Sequence, residues 1–408
     1  MKCRFCQTEL ENIFIDLFHS PASNSFLSLE QLNEPELYYP LKVYTCHNCF
    51  LVQIDEYKKS DSIFDNSYVY FSSYSKSWLE HARLYVDMMI SRFGFNEKSL
   101  VSEIASNDGY LLQYFVQKNI PSLGIEPTAN TAEVAKGRGV DSVIDFFGVR
   151  LAKDLVSKGL KADLLLGNNV LAHVPDIIDF TKGLKIFLKD GGVVTMEFPH
   201  LVQLIENNQF DTIYHEHFSY LSFTTVSKIF DAAGLEMFDV EELPTHGGSL
   251  RVFAKHKEDI SKTISGNVSS MLEKESKKGI SDLKYYSGFH SKVLNIKLDL
   301  LKFLEEQKRM GKVVAAYGAA AKGNTLLNYC GVKSDMISFV ADANPHKQNK
   351  FLPGSHIPVV DEQHLKNSKP DYVMILPWNI KEEVMSQLSY IREWGGKFVI
   401  AIPEFHII

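Results

Sequence analysis

Apolar residues recur along this chain at two spacings, and each predicts a different kind of element. From Trp78 to Phe93 they fall three and four apart, the spacing of an amphipathic helix. Beyond residue 98 the pattern changes to short apolar runs, each closed by a polar turn and followed by a helical stretch. Residues 99–104 read as a strand, 105–109 as a tight turn of small and polar residues, and Tyr110 onward as a helix. Runs at 122–126, 142–145, 163–169 and 191–197 continue the alternation. A charged, helical stretch at 265–310 leads into a second series, with strands expected at 312–317, 336–341, 372–376 and 397–402. Strands alternating with helices imply parallel sheets, whose ligand crevices lie at the carboxyl ends of the strands. The expected fold class is therefore α/β. Residues 61–75, rich in Tyr and Ser, show no helical period. They read as a linker whose phenols, Tyr68 and Tyr70 among them, reach a cleft, or as a loop packed by its own aromatics.

Length and charge narrow the picture. A chain of 408 residues suggests about two or three domains. The net charge of −7 argues against a broad nucleic-acid-binding face. No run approaches the ~18 apolar residues of a membrane-spanning helix. No apolar stretch follows Met1-Lys2-Cys3, so a secretory leader is not expected and the cytoplasm is the default compartment.

The cysteines change the picture more. Four of the five form two C-x-x-C pairs, Cys3 with Cys6 and Cys46 with Cys49. Each pair turns two thiolates toward one point, and two pairs supply the tetrahedral sulfur set of a zinc site. Disulfides are the rival reading, but a cytosolic chain keeps its thiols reduced. A redox role fits less well, since neither pair opens a helix after a strand. Four thiolates close the coordination sphere, so the expected zinc is structural, stapling a rather large irregular lobe. Cys330 lies in an apolar run and reads as a buried core thiol.

Polar residues at the predicted strand ends supply the candidate chemistry. After the first strand of the central series comes Glu103-Ile-Ala105-Ser106-Asn107-Asp-Gly109, a turn that lets backbone approach a ligand closely. Glu126 ends the second strand, where a carboxylate accepts ribose hydroxyls, and Asp145 ends the third. Asn168 and Asn169 place amides at the tip of the fourth. G-x-G-x-x-G is absent, and S-adenosylmethionine (SAM) suits this turn better than NAD. A second cluster, Tyr214-His215-Glu216-His217, is not H-E-x-x-H and suits a general base better than a metal site. In the C-terminal half, Gly318-Ala-Ala-Ala-Lys322-Gly323-Asn324-Thr325 lacks the P-loop lysine. What remains is a glycine-bounded turn at a helix start, an anion site with Lys322 added. Asp342 and Lys347 sit in the loop after the next strand.

Together these segments resemble the sugar C-methyltransferase family that acts on nucleotide-linked 4-keto-deoxysugars. The resemblance runs over nearly the whole chain. It rests on the cysteine pairs, the turn at 103–112, Gly124-Ile-Glu-Pro, the stretch from Gly167 through His173 to Asp176, Tyr214-His-Glu-His-Phe-Ser, and the turn at 318–325. It implies a zinc-binding lobe (1–65), a central class I SAM-binding Rossmann-like domain (66–260) and a second Rossmann-like domain holding the nucleotide sugar (261–408). It further implies that His217 is the base, with Tyr68, His173, Tyr214 and Glu216 at the other active-site positions. The SAM positions implied are Glu103, Ala105, Ser106, Asn107, Gly109, Glu126, Asp145, Asn168 and Asn169. The substrate positions are Tyr70, Gly318, Lys322, Asn324, Asp342 and Lys347. The expected reaction is methylation of C3 beside the C4 ketone of a deoxysugar, TDP-linked, by a monomer, with Glu216 orienting the base. Two departures stand out. Ala105 replaces the glycine more usual in the turn, which loosens backbone approach. His215 fills a variable position, reading as a contact to a sugar substituent or an exposed bystander. An NAD-dependent oxidoreductase and a non-catalytic zinc-ribbon interaction protein are the rival functions.

Overall fold

The computed structural model describes residues 1–57 and 71–408. Tyr68 and Tyr70 lie outside the described residues. Three sheets are present among those described. The first is built from β1 (Asn12–Ser20), β2 (Tyr39–Thr45) and β3 (Val52–Ile54), paired antiparallel in that order. The N-terminal lobe is thus a regular meander, not the irregular lobe the cysteine spacing suggested. Alternation explains it: Leu41, Val43 and Thr45 face inward while the residues between them are partly exposed.

The central sheet comprises β4 (Val101–Ile104), β5 (Ser122–Ile125), β6 (Asp141–Val143), β7 (Ala162–Asn168), β8 (Leu188–Pro199), β10 (Leu235–Leu243) and β11 (Ser249–His256). Its order is β10-β11-β8-β7-β4-β5-β6, with β4 to β8 parallel and β11 antiparallel to both neighbours. The apolar runs become parallel strands because both faces are covered: Leu164, Leu165 and Leu166 are all fully buried. Helix Lys76–Phe93 covers one face with Trp78, Ala82, Tyr85, Val86 and Met89, starting at the Ser75 cap and ending at left-handed Gly94. The hairpin β10–β11 was not among the expected strands, although its apolar alternation is visible in hindsight. The strand order reverses between β5 and β7 on either side of β4, which opens a crevice there.

The third sheet runs β14 (Val359–Val360), β13 (Val340–Ala341), β12 (Val314–Tyr317), β15 (Tyr372–Ile375), β16 (Lys397–Ile400) and β17 (His406–Ile407). All its pairs are parallel except the last. The run expected at 336–341 forms a strand only at its last two residues, since the backbone N–H groups of Met336 and Ile337 turn back onto Lys333.

One short strand ties the sheets together. β9 (Ser219–Tyr220) leaves the central sheet and pairs with β3, Val52 opposite Tyr220. A single apolar cluster accordingly joins Phe14 and Val43 of the first sheet, Phe210 and Phe218 of this crossover, and Leu326 and Val340 of the third. Among the described residues no helix is long and apolar enough to cross a membrane. Cys330 is buried in that shared cluster, as its apolar setting predicts.

Candidate functional site

A cleft of about 820 Å³ lies where the carboxyl ends of the central strands meet the crossover and the third sheet. Its lining draws on residues up to more than 300 positions apart, from Asn24 to Ile380.

On the central sheet, Ala105, Asn107, Glu126, Asp145, Asn168 and Asn169 all line the cleft. Glu126 is buried, and its carboxylate accepts the backbone N–H groups of Asn107 (2.8 Å) and Thr128 (2.9 Å). Burial raises its proton affinity, opposed by these hydrogen bonds. Asp145 pairs with Arg150 at 2.6 Å. Asn169 has φ 55 and turns its amide N–H onto His246 Nε2 (2.6 Å), leaving a buried carbonyl oxygen with no hydrogen-bond partner among the described residues. Glu103, Ser106 and Gly109 do not line the cleft. Glu103 is fully buried beneath the turn, where desolvation drives its carboxyl far above the usual range. Gly109 has φ 74, and an added Cβ there would press on Ala135 at 3.1 Å, so it shapes the turn. Ala105 adopts φ 56, a left-handed conformation held without a glycine's freedom. Glu126, the amides and the unpartnered Asn169 oxygen suit SAM, which carries ribose hydroxyls and a positively charged amino-acid tail.

The second wall carries the base cluster, and Tyr214, Glu216, His217 and His173 all line it. His217 Nδ1 lies 2.8 Å from the Thr212 carbonyl. A carbonyl can only accept, so Nδ1 carries the proton and Nε2 the lone pair. Nε2 then accepts the Tyr214 hydroxyl at 2.9 Å. The His173 ring meets His217 edge-on, with centroids 4.6 Å apart. Burial first, and then the neighbouring His173, push the His217 imidazolium well below its ordinary range. Burial likewise takes His173 and His246 down to about 4. The Glu216 carboxylate accepts the Asn24 amide at 2.7 Å. The expectation that Glu216 orients the base is corrected: the Thr212 carbonyl holds that ring, because the chain folds back on itself between 212 and 217. His215 is neither exposed nor in the cleft; it is buried against Tyr39, its Nε2 3.2 Å from the Pro40 carbonyl.

Of the expected substrate residues, Lys322 and Lys347 line the cleft, while Gly318, Asn324 and Asp342 do not. Asn324 is buried and donates its amide to the Ser23 carbonyl at 2.6 Å, a strut to the N-terminal lobe. The Asp342 carboxylate accepts the Ala319 N–H at 2.7 Å, occupying the turn from within. Gly318 is left-handed (φ 87), and an added Cβ would collide with Pro377 at 2.5 Å.

Sequence reasoning passed over Asn24, Thr212, His246 and Asn379, whose places arise from long-range packing. Only His246 carried a signal, since a residue beside Gly247-Gly248 marks an unusual turn; it too is left-handed (φ 55).

The four expected zinc ligands converge. The Cys3, Cys6, Cys46 and Cys49 sulfurs all lie within 4.8 Å of one another, with Cys3–Cys49 and Cys6–Cys46 at 3.5 Å. Tetrahedral zinc with Zn–S of about 2.3 Å needs sulfurs roughly 3.8 Å apart, so the set fits that metal.

Comparisons with known proteins match this arrangement in three segments. Residues 3–64 match the family described as "Putative zinc binding domain", 78–240 a "Methyltransferase domain" and 244–403 a "C-methyltransferase C-terminal domain". The C-methyltransferase NovU of Streptomyces niveus is 33% identical over 407 residues, spanning 100% of this chain and 96% of that protein. Among solved structures, a SAM-dependent methyltransferase from Anabaena variabilis is 13% identical with a TM-score of 0.36, covering 50% of this chain and 99% of its own. Magnesium protoporphyrin IX methyltransferase from Synechocystis, with bound SAM, is 14% identical with a TM-score of 0.33, covering 43% and 78%.

Proposed function

Since this chain belongs to the C-methyltransferase family, is SAM-dependent and carries a zinc-binding N-terminal region, we propose that it methylates C3 beside the C4 ketone of a nucleoside-diphosphate deoxysugar. TDP is the nucleotide proposed, the protein acting as a cytoplasmic monomer of three domains bounded near residues 65 and 260. The observation that carries the reading is the fixed tautomer of His217, whose Nε2 lone pair is turned into the cleft and accepts the Tyr214 hydroxyl.

Bound SAM supplies an electrophilic methyl group, and Glu126, Asp145, Asn168, Asn169 and the 103–109 turn are the residues proposed to hold it. The rest of the chemistry belongs to the chain. A C4 ketone acidifies the C3 hydrogen. The Tyr214 hydroxyl swings off Nε2, and His217 Nε2 takes the C3 proton; the C–H electron pair moves into the C3–C4 bond, and the carbonyl π pair moves onto oxygen. A base held neutral by burial needs no deprotonation before it acts, and a positioned base contributes ~10²–10⁴ in rate. Tyr214 and His173 pack the imidazole from two sides, while Glu216 is steadied by Asn24. Tyr68 and Tyr70 belong to this proposal on the family resemblance alone, and Lys347 serves the substrate's nucleotide end.

Incubation with methyl-labelled SAM and a panel of TDP-, GDP- and CDP-linked 4-ketosugars tests the reading. Label on C3 of a TDP-sugar is expected. Label on oxygen or nitrogen, or none with any 4-ketosugar, would overturn it.

A further inference from the structure

We infer that Lys322 stabilises the enolate oxygen formed when His217 takes its proton, instead of binding the substrate's diphosphate. The inference rests on the methylation reading above and assigns a residue that the sequence placed elsewhere.

Charge accounting leads to it. Proton removal leaves a full negative charge on the former ketone oxygen, and some group in the cleft must meet it. The other hydrogen-bond donors near the base are uncharged. The Tyr214 hydroxyl donates to His217, the Asn24 amide donates to Glu216, and His173 is hydrogen-bonded to the Glu216 backbone. Two lysines line the described cleft. Lys347 donates to the Ala319 carbonyl at 2.8 Å and lies 3.9 Å from Asp342, so its charge is answered locally.

Lys322 is placed differently. Its side chain folds over the Trp378 indole, ammonium 4.5 Å from the ring centroid, and donates one hydrogen bond, 2.7 Å, to Asn379 Oδ1. An ammonium has three protons, and among the described residues this is the one hydrogen bond to Nζ. The charge reaches the base: Lys322 contributes to lowering both His217 and His246. Burial lowers the pKa of Lys322 and the nearby Asp211 carboxylate opposes that, while Asp211 accepts the Trp378 indole N–H at 2.7 Å and so ties the lysine's platform in place. A cation so held is preorganised, which is what makes such a group effective against developing charge.

The turn itself is a poor diphosphate cradle. Its Ala319 N–H is spent on the Asp342 carboxylate, which would repel phosphate, and the Asn324 amide is spent on Ser23.

The test separates the two roles. Wild-type protein, Lys322→Met, Lys322→Arg and His217→Asn are each incubated with TDP-4-keto-6-deoxyglucose in deuterated water without SAM. Deuterium uptake at C3 is followed, and the Kd of TDP is measured by calorimetry. Expected for Lys322→Met is a fall in uptake of about 10²-fold or more, with TDP affinity changed less than about threefold. Lys322→Arg is expected to recover part of the rate. A tenfold loss of TDP affinity with uptake intact would return Lys322 to the diphosphate and overturn the inference. Lys322→Met exchanging like wild type while His217→Asn is silent would also sink it, and would leave the base reading standing. No uptake by wild type, or full uptake by His217→Asn, would strike the methylation reading itself. A Lys322→Met protein that also fails to bind TDP counts for a structural role and against the inference.

Discussion

His217 is the proposed base, and its environment specifies how it behaves. The Thr212 carbonyl selects the tautomer, and burial keeps the ring neutral. His217→Asn should cut methyl transfer by ~10²–10⁴ while leaving SAM affinity unchanged, because the ring's hydrogen bonds go to Thr212 and Tyr214 rather than to the proposed SAM residues. Turnover within a few-fold of wild type would refute the assignment. The same environment predicts a pH profile. The proposed base works deprotonated, so kcat/KM falls as pH drops through its folded value, which burial holds well below the ordinary histidine range. The acid limb should therefore lie below the ordinary imidazole range, with activity flat through neutral pH. An acid limb centred at or above 6.5 would show that burial does not govern this ring. That Tyr214, Glu216 and His217 line one cleft was legible, but the partner that orients His217 was not. Thr212 contributes a backbone oxygen, and backbone atoms leave no mark in residue identity.

At the scale of elements, short connections matter more than the strands they join. The inner parallel strand β7 could be read from its apolar run, since a strand buried on both faces tolerates little else, whereas β6 at the edge is only half-buried. The loop at 245–248 could not. Its Thr245 hydroxyl donates to Glu197 at 2.9 Å, its His246 meets Asn169, and Gly247 presses against Trp378. Gly247 has φ 88, and an added Cβ would lie 2.4 Å from the indole. Gly247→Ala is thus expected to cost about 2 kcal/mol through backbone strain and overpacking. It should also shift Trp378 and the Lys322 resting on it. Denaturant unfolding and steady-state turnover check both parts; an unchanged midpoint would mean that the loop yields freely.

For the whole molecule, the zinc knuckles connect to the cleft through Arg4, which stands between two cysteine ligands. Its guanidinium donates to the Pro175 carbonyl at 2.8 Å, close in sequence to His173, and packs on the Phe218 ring next to His217. β9 then continues the first sheet directly from the base cluster. Cys46→Ser should lower bound zinc, reduce Tm by several degrees and reduce methyl transfer at least about tenfold, because the metal's contribution is folding energy for the lobe. SAM affinity should change far less, as its proposed residues stand on the central sheet. Full activity in zinc-depleted protein, by metal analysis and assay together, would contradict the coupling.

What the sequence determined alone was local. Periodicity marked strands and helices, paired C-x-x-C spacings marked the metal, and polar residues at strand ends marked the SAM crevice. Such features are set by neighbours a few positions apart. The tertiary structure decided the rest: that Asn24 meets Glu216, that Lys322 lies over Trp378, that Asp342 fills its own turn, and that β9 joins the N-terminal sheet. Those pairings depend on which apolar faces bury against one another. Hydrophobic packing is non-directional, so residue order alone does not disclose them.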